Sequence, residues 1–152
     1  MRVMVLVKAT KDSEAGKKPT KELLAEMGKF NEQLVKATKD SEAGKPPTKE
    51  LVEQMGKFNE ELQKAGVLVD AAGLRPSSKS KRVRFSGSER KVIDGPFAET
   101  KELIAGYWLW EVKSLDDAVQ WLKRCPHPHP GSTAEVEIRP LLDESDFADW
   151  PK

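Results

Sequence analysis

A 28-residue segment occurs twice in succession. Residues 8–35 read KATKDSEAGKKPTKELLAEMGKFNEQLV, and residues 36–63 read KATKDSEAGKPPTKELVEQMGKFNEELQ. They align without a gap and differ at six positions, so 28 − 6 = 22 are identical. Nothing later in the chain repeats, and two units fall short of the roughly three that a stacked solenoid needs to bury a continuous core. The repeat is therefore read as a tandem duplication inside an ordinary domain. Removing one copy leaves 152 − 28 = 124 residues in a seamless chain.

Each copy predicts a polar loop followed by a helix. Thr20 after Pro19 is an expected N-cap, and Thr48 after Pro47 is its twin. Leu23, Met27, Phe30 and Leu34 follow at helical spacing, and Leu51, Met55, Phe58 and Leu62 repeat them. Each set makes one apolar stripe. Gly44, Pro46 and Pro47 prevent a single continuous helix, so two near-identical amphipathic helices are expected.

The 38% hydrophobic and 34% charged residues supply one core and a well-solvated surface, so residues 1–152 are read as a single domain. No apolar run approaches the roughly 20 residues of a membrane span. The opening MRVMVLVKAT is too short for a secretory signal and reads as a first strand. The lone Cys125 excludes an intrachain disulfide. A cytoplasmic protein with no membrane partner is expected. A formal charge of +1 argues against a dedicated nucleic-acid binder.

Beyond the repeat, Gly66 is expected to end the second helix and Val67 to Leu74 to form a strand. Arg75 to Lys81 reads as a polar loop. Lys81 to Ser86 and Arg90 to Ile93 read as a hairpin across Ser86-Gly87-Ser88, with Val83 and Phe85 on its core side. Ile104 to Val112 carries Trp108 and Trp110 on one face and Tyr107 and Leu109 on the other, so it predicts a strand covered on both sides. A helix from Ser114 to Arg124 opens on a capping-box-like Ser114/Asp117 pair, and Ala134 to Leu142 forms the last strand. The acidic tail is expected to pack only through Phe147 and Trp150. Without the extra copy the order is that of an α+β ferredoxin-like split β-α-β fold with an inserted hairpin. Both helices then cover one sheet face, and dimerisation is the expected cover for the other.

Asp94-Gly95-Pro96-Phe97 admits two readings. In the first, it is a tight turn in which Asp94 accepts backbone N–H bonds, Pro96 fixes φ and Phe97 anchors the loop in the core. In the second, Asp94 is a general acid or base whose pKa is tuned by burial in a cleft. Alternate residues of an extended segment project to one side, so Glu99 and Lys101 are placed to join Asp94 at one pocket. Lys101 would orient an anionic substrate or stabilise enolate-like charge. A solvated salt-bridge cluster is the plain alternative for the same residues.

The run VIDGPFAETKELIAGYWLWEV, with AGVLVDAAGLRPSS before it and SLDDAVQWLKRCP and VEIRPL after it, resembles the YCII-related or DGPF-domain family over the chain apart from the extra 28 residues. The resemblance implies a dimeric α+β barrel in which two ferredoxin-like subunits pack sheet against sheet. It also implies kinship with lactone isomerases and dehydrochlorinases acting on small ring compounds, and with genes beside extracytoplasmic-function sigma factors. The shorter members of the wider family carry a His-Asp pair, which has no clear histidine counterpart here.

Cys125, His127 and His129 are legitimate zinc ligands. However, the chain lacks a paired CxxC or a distant His/Cys cluster, so a loop after the helix is the preferred reading and no metal is expected. Arg75, Lys79, Lys81, Arg82, Arg84, Arg90 and Lys91 form a basic stretch, read as a solvated face. No glycine motif follows a strand and opens a helix, so no nucleotide cofactor is expected. Two functions remain open. One is a cofactor-independent acid–base enzyme of isomerase or lyase type, acting on small organic acids, lactones or halogenated rings through Asp94, Glu99 and Lys101. The other is a non-catalytic ligand-binding or accessory protein, serving a sigma factor of the kind named above. A promiscuous hydrolase using Cys125, His127 and His129 ranks third. The expected partners are a small-molecule ligand and further copies of the chain, as a homodimer or higher oligomer; the two helix copies either pair as an αα-hairpin or one packs across the dimer in an exchanged position, as in domain swapping, with residues 48–65 expected in the native slot.

Overall fold

The computed structural model describes residues 1–9, 48–98, 103–131 and 133–147. The helix expected in the first copy, Glu99, Lys101 and Trp150 lie outside the described residues. Strand β1 (Arg2–Lys8) leads the chain, and α1 (Lys49–Lys64) and β2 (Leu68–Gly73) follow. The hairpin strands β3 (Lys81–Ser86) and β4 (Glu89–Asp94) come next. Strand β5 (Ile104–Glu111), α2 (Leu115–Lys123) and β6 (Val136–Pro140) complete the order. Four strands form an antiparallel sheet in the order β2-β5-β1-β6, and β3 and β4 form a separate two-stranded sheet. This is the expected ferredoxin-like α+β architecture, with the hairpin set apart from the main sheet.

Local chemistry fixes both helices. Thr48 caps α1, its hydroxyl accepting from the Leu51 amide at 3.2 Å. At the other end Gly66 adopts φ +70°, and the Gly66 and Val67 amides donate to the Gln63 and Leu62 carbonyls. That pair of bonds is the Schellman arrangement, which satisfies orphan carbonyls and turns the chain into β2. In α2 the Ser114 hydroxyl accepts from the Asp117 amide at 3.1 Å. The Asp117 carboxylate accepts from the Lys113 amide, one residue before the position of a standard capping box.

Registry puts alternate residues on opposite faces. Val3 faces Trp110 and Val5 faces Trp108 across β1 and β5, and Ile138 lies opposite Val5 on β6. These side chains meet Phe58, Leu62 and Ala118 from the helices to form the core. The Phe58 ring stands edge-on to both tryptophans, with centroids 6.3 Å apart in each pair. The core holds a buried polar bridge, in which Trp108 Nε1 donates to Asn59 Oδ1 at 2.9 Å. Neighbouring Trp110 is fully buried, yet its Nε1 has no hydrogen-bond partner among the described residues.

The opposite sheet face presents Met4, Leu6, Tyr107 and Leu109, with Met4 opposite Leu109 and Leu6 opposite Tyr107. Charged pairs frame it. Glu111 accepts from Arg2 and the N-terminal ammonium, and both hold its carboxyl below the ordinary value, Arg2 more strongly. Glu137 pairs with Lys8 at 3.0 Å and with Arg139. No helix among the described residues is long and apolar enough to cross a membrane.

Two sequence expectations are corrected. Val83 and Phe85 do not face a core; they are 48% and 69% exposed, because the hairpin projects away from the main sheet. The stretch from Arg75 to Lys81 is more than a polar loop. Pro76 and Ser77 are buried and open a short 3₁₀ turn, Ser77–Lys79.

Candidate functional site

The Asp94–Phe97 turn is docked on that 3₁₀ turn. The Gly95 amide donates to the Ser80 carbonyl at 3.0 Å, and the Phe97 amide donates to the Ser77 hydroxyl at 3.2 Å. The Gly95–Pro96 peptide is cis. A side chain at position 95 would have no room, since a Cβ there would lie 1.7 Å from the Ser77 carbonyl oxygen. Glycine is thus required by close backbone approach.

Asp94 has a different role from the one its turn position predicts. Its carboxylate accepts from Lys81 Nζ across the first rung of the hairpin, and its side chain is 73% exposed. The amides of the turn go to Ser77 and Ser80 instead. Phe97 is half-buried, and it is capped by the Arg82 guanidinium 3.9 Å above its ring. The stack holds both groups in place: the cation meets the negative face of the ring, and the ring shields one side of the guanidinium from water.

Two clefts meet at this stack. One, of about 330 Å³, is lined by Leu74, Leu103, Ile104 and Phe97 on its apolar side and by Arg75, Ser77, Ser80 and Arg82 on its polar side. The other, of about 400 Å³, runs along the hairpin past Arg82, Arg84, Ile93, Asp94, Pro96 and Phe97. An apolar wall with a few convergent cations and hydroxyls is the composition expected of a small-ligand site, and the volumes lie in the roughly 300–1,000 Å³ class. Of the sequence-predicted site residues, Asp94 is placed at the rim of the second cleft. Glu99 and Lys101 follow Ala98, a lining residue, but lie outside the described residues.

Sequence reasoning missed Ser77, Ser80, Arg82 and Phe97 as a unit, because their partnership spans 20 residues and depends on the docked turn. It also missed the Tyr107–Asp70 pair on the sheet face opposite the tryptophans. There the phenol donates to Asp70 Oδ2 at 2.9 Å, which together with desolvation raises its pKa.

Cys125, His127 and His129 are not aimed at one another. The Cys125 sulfur lies 3.9 Å from the Met55 sulfur, and burial pushes its pKa up to about 12. His127 Nδ1 accepts from the His129 amide, and His129 Nε2 lies 3.3 Å from the Lys8 carbonyl. Among the described residues no group of three or more His, Cys, Asp or Glu is placed to hold a metal ion.

Residues 35–142 match the model of the YCII-related domain. The match begins one residue before the second repeat copy. An uncharacterized protein from Rhizobium meliloti (strain 1021) is 42% identical over 77 residues, which is 51% of this chain. The shared stretch spans 61% of that relative's length.

Proposed function

The chain belongs to the YCII-related family, and from that membership and the paired clefts we propose that it binds a small organic acid or lactone beside the Asp94–Phe97 turn. The observation that carries this reading is the Arg82–Phe97 stack, from which both clefts open. Arg82, with Ser80, supplies donors for a carboxylate or lactone oxygen, and charge-assisted bonds such as the arginine's are the strong ones. Phe97, Leu103 and Ile104 supply the wall against which a ring or short chain packs.

Turnover is the finer part of the proposal. Asp94 would move a proton at the rim of the second cleft, while Glu99 and Lys101 would flank it, with Lys101 holding developing negative charge. The competing reading is a binder without chemistry, acting as an accessory protein. It draws on the exposure of Asp94 and its pairing with Lys81, since a solvated, ion-paired carboxylate lacks the burial that tunes a general base. The working unit is proposed as a cytoplasmic homodimer closed by the Met4, Leu6, Tyr107 and Leu109 face. This face is apolar at its centre and framed by ion pairs.

A thermal-shift screen with small carboxylates, lactones and phenols tests the proposal. Hits should raise the melting temperature of the wild type and lose their effect in Arg82→Gln. Any hit is then assayed for conversion with wild type and Asp94→Asn. Conversion lost only in Asp94→Asn supports the enzyme, and binding without conversion supports the accessory role. A screen without a single Arg82-dependent shift would remove the site.

A further inference from the structure

The two faces of the β3–β4 hairpin differ in chemistry. Val83, Phe85 and Val92 share one face, where Lys81 pairs with Asp94 and Arg90 is held over the Phe85 ring. The other face carries Arg82 opposite Ile93 and Arg84 opposite Lys91. This second face meets the Asp94–Phe97 turn through the Arg82–Phe97 stack, and Arg82, Arg84 and Ile93 line the second cleft.

Arg84 and Lys91 stand directly across from each other, where Cβ atoms are about 4.5–5.5 Å apart and two like charges destabilise the pairing. The other cations of the hairpin are occupied: Lys81 by Asp94, Arg82 by the Phe97 ring, and Arg90 by the Phe85 ring and the Gly87 and Glu89 carbonyls. Among the described residues no carboxylate pairs with Arg84 or Lys91. Glu89 shares their face, opposite Ser86 at the turn of the hairpin, and is paired with neither. An anion between Arg84 and Lys91 would turn their mutual repulsion into two attractions.

The spacing ties this pair to the cleft. Arg82 and Arg84 are two residues apart on one strand face, roughly 6.8 Å along the chain. Half-buried Ile93 and Phe97, with Pro96, supply the apolar lining beside them. Asp94, the carboxylate of that lining, is already engaged by Lys81. An apolar wall with a cation toward each end suits a ring or short chain with an anionic group at each end.

We propose that Arg84 and Lys91 form a second anion subsite of the second cleft, and that the ligand is a dianion. One carboxylate meets Arg82, and a further carboxylate or phosphate lies between Arg84 and Lys91. Arg84 supplies a planar fork of donors, and Lys91 adds a mobile point charge from the facing strand. This inference rests on the binding site proposed above and names the charge of its ligand.

The test compares benzoate, terephthalate and para-carboxyphenyl phosphate by isothermal titration on the wild type, Arg82→Gln and the double variant Arg84→Gln/Lys91→Gln. All three probes share a ring and a carboxylate, and only the latter two carry a second anionic group. The better dianion should bind the wild type about tenfold tighter than benzoate, the advantage expected of one charged hydrogen bond. Its identity distinguishes carboxylate from phosphate as the second group. The double variant should lose that advantage, bind benzoate as the wild type does, and keep or raise the ligand-free melting temperature because the repulsion is gone. Dianions no tighter than benzoate, or an advantage that survives in the double variant, would overturn the second subsite. Benzoate binding that is lost in Arg82→Gln would leave the first site standing in that case. No binding of any probe would remove both. A mixed-sequence single-stranded oligonucleotide that binds tighter than either dianion, and only when Arg84 and Lys91 are present, would assign the pair to a polyanion and overturn the proposal.

Discussion

A methyl group at position 95 would sit 1.7 Å from a backbone oxygen, so Gly95→Ala must push the Asp94–Phe97 turn off Ser77. Overpacking of this kind costs about 1–3 kcal/mol, and more where backbone meets backbone. Gly95→Ala should therefore lower the urea midpoint clearly and widen both clefts. Asp94→Ala should leave the midpoint near that of the wild type, because the Asp94–Lys81 pair is exposed. A loss in Asp94→Ala equal to that in Gly95→Ala would contradict this division of roles. The turn itself was legible from Asp-Gly-Pro-Phe, but its docking surface was not, since nothing in the pattern of Pro76-Ser77-Ser78 marks a buried serine. Cys125 gives a second residue-scale prediction. Burial raises its pKa from 9.0 to about 12. The native state then keeps a proton that the unfolded chain releases, so this stabilisation is complete below about pH 9 and is lost as pH rises toward about 12. Urea midpoints of the wild type should fall more steeply over that window than those of Cys125→Ala. Parallel curves would show that the thiol is not the cause.

At the scale of elements, α1 shows why the duplicated segment matters. Its stripe of Met55, Phe58 and Leu62 packs on the tryptophan face of the sheet, and burying each such side chain is worth roughly 1.5–3 kcal/mol. The first copy carries the same stripe at Met27, Phe30 and Leu34. The Schellman link through Gly66 joins the second copy directly to β2, so the second copy fills the slot between sheet and solvent. Phe58→Asp should abolish cooperative unfolding, whereas Phe30→Asp should keep the fold and shift the sedimentation profile. Equal loss of fold in both variants would mean that the core needs both copies. Helix and strand periods, caps and the two-faced strand β5 could all be read from the sequence, because each is a local pattern. The hairpin was legible as strands, but its environment was not. Alternation shows that Val83 and Phe85 share a side, and only tertiary placement shows that the side faces away from the core.

For the whole molecule, the described helices pack on the tryptophan face of the sheet, and the opposite face holds Met4, Leu6, Tyr107 and Leu109. Covering it with a second copy would bury the half-buried Met4, Tyr107 and Leu109 beside the already buried Leu6 and leave the ion pairs of Glu111 and Glu137 at the rim. The proposed ligand clefts lie elsewhere, at the end of β2 and the base of the hairpin, so the proposed binding site and the face-to-face contact occupy separate surfaces. That separation is the central claim, and amide chemical-shift mapping during titration with a small carboxylate found in the thermal-shift screen tests it most directly. The amides of Ser77, Ser80, Arg82 and Phe97 should shift together and saturably, while those of Met4 and Leu109 stay fixed. Shifts confined to Met4, Leu6, Tyr107 and Leu109, with Ser77 and Phe97 unmoved, would place the ligand on the sheet face opposite the tryptophans and contradict the account.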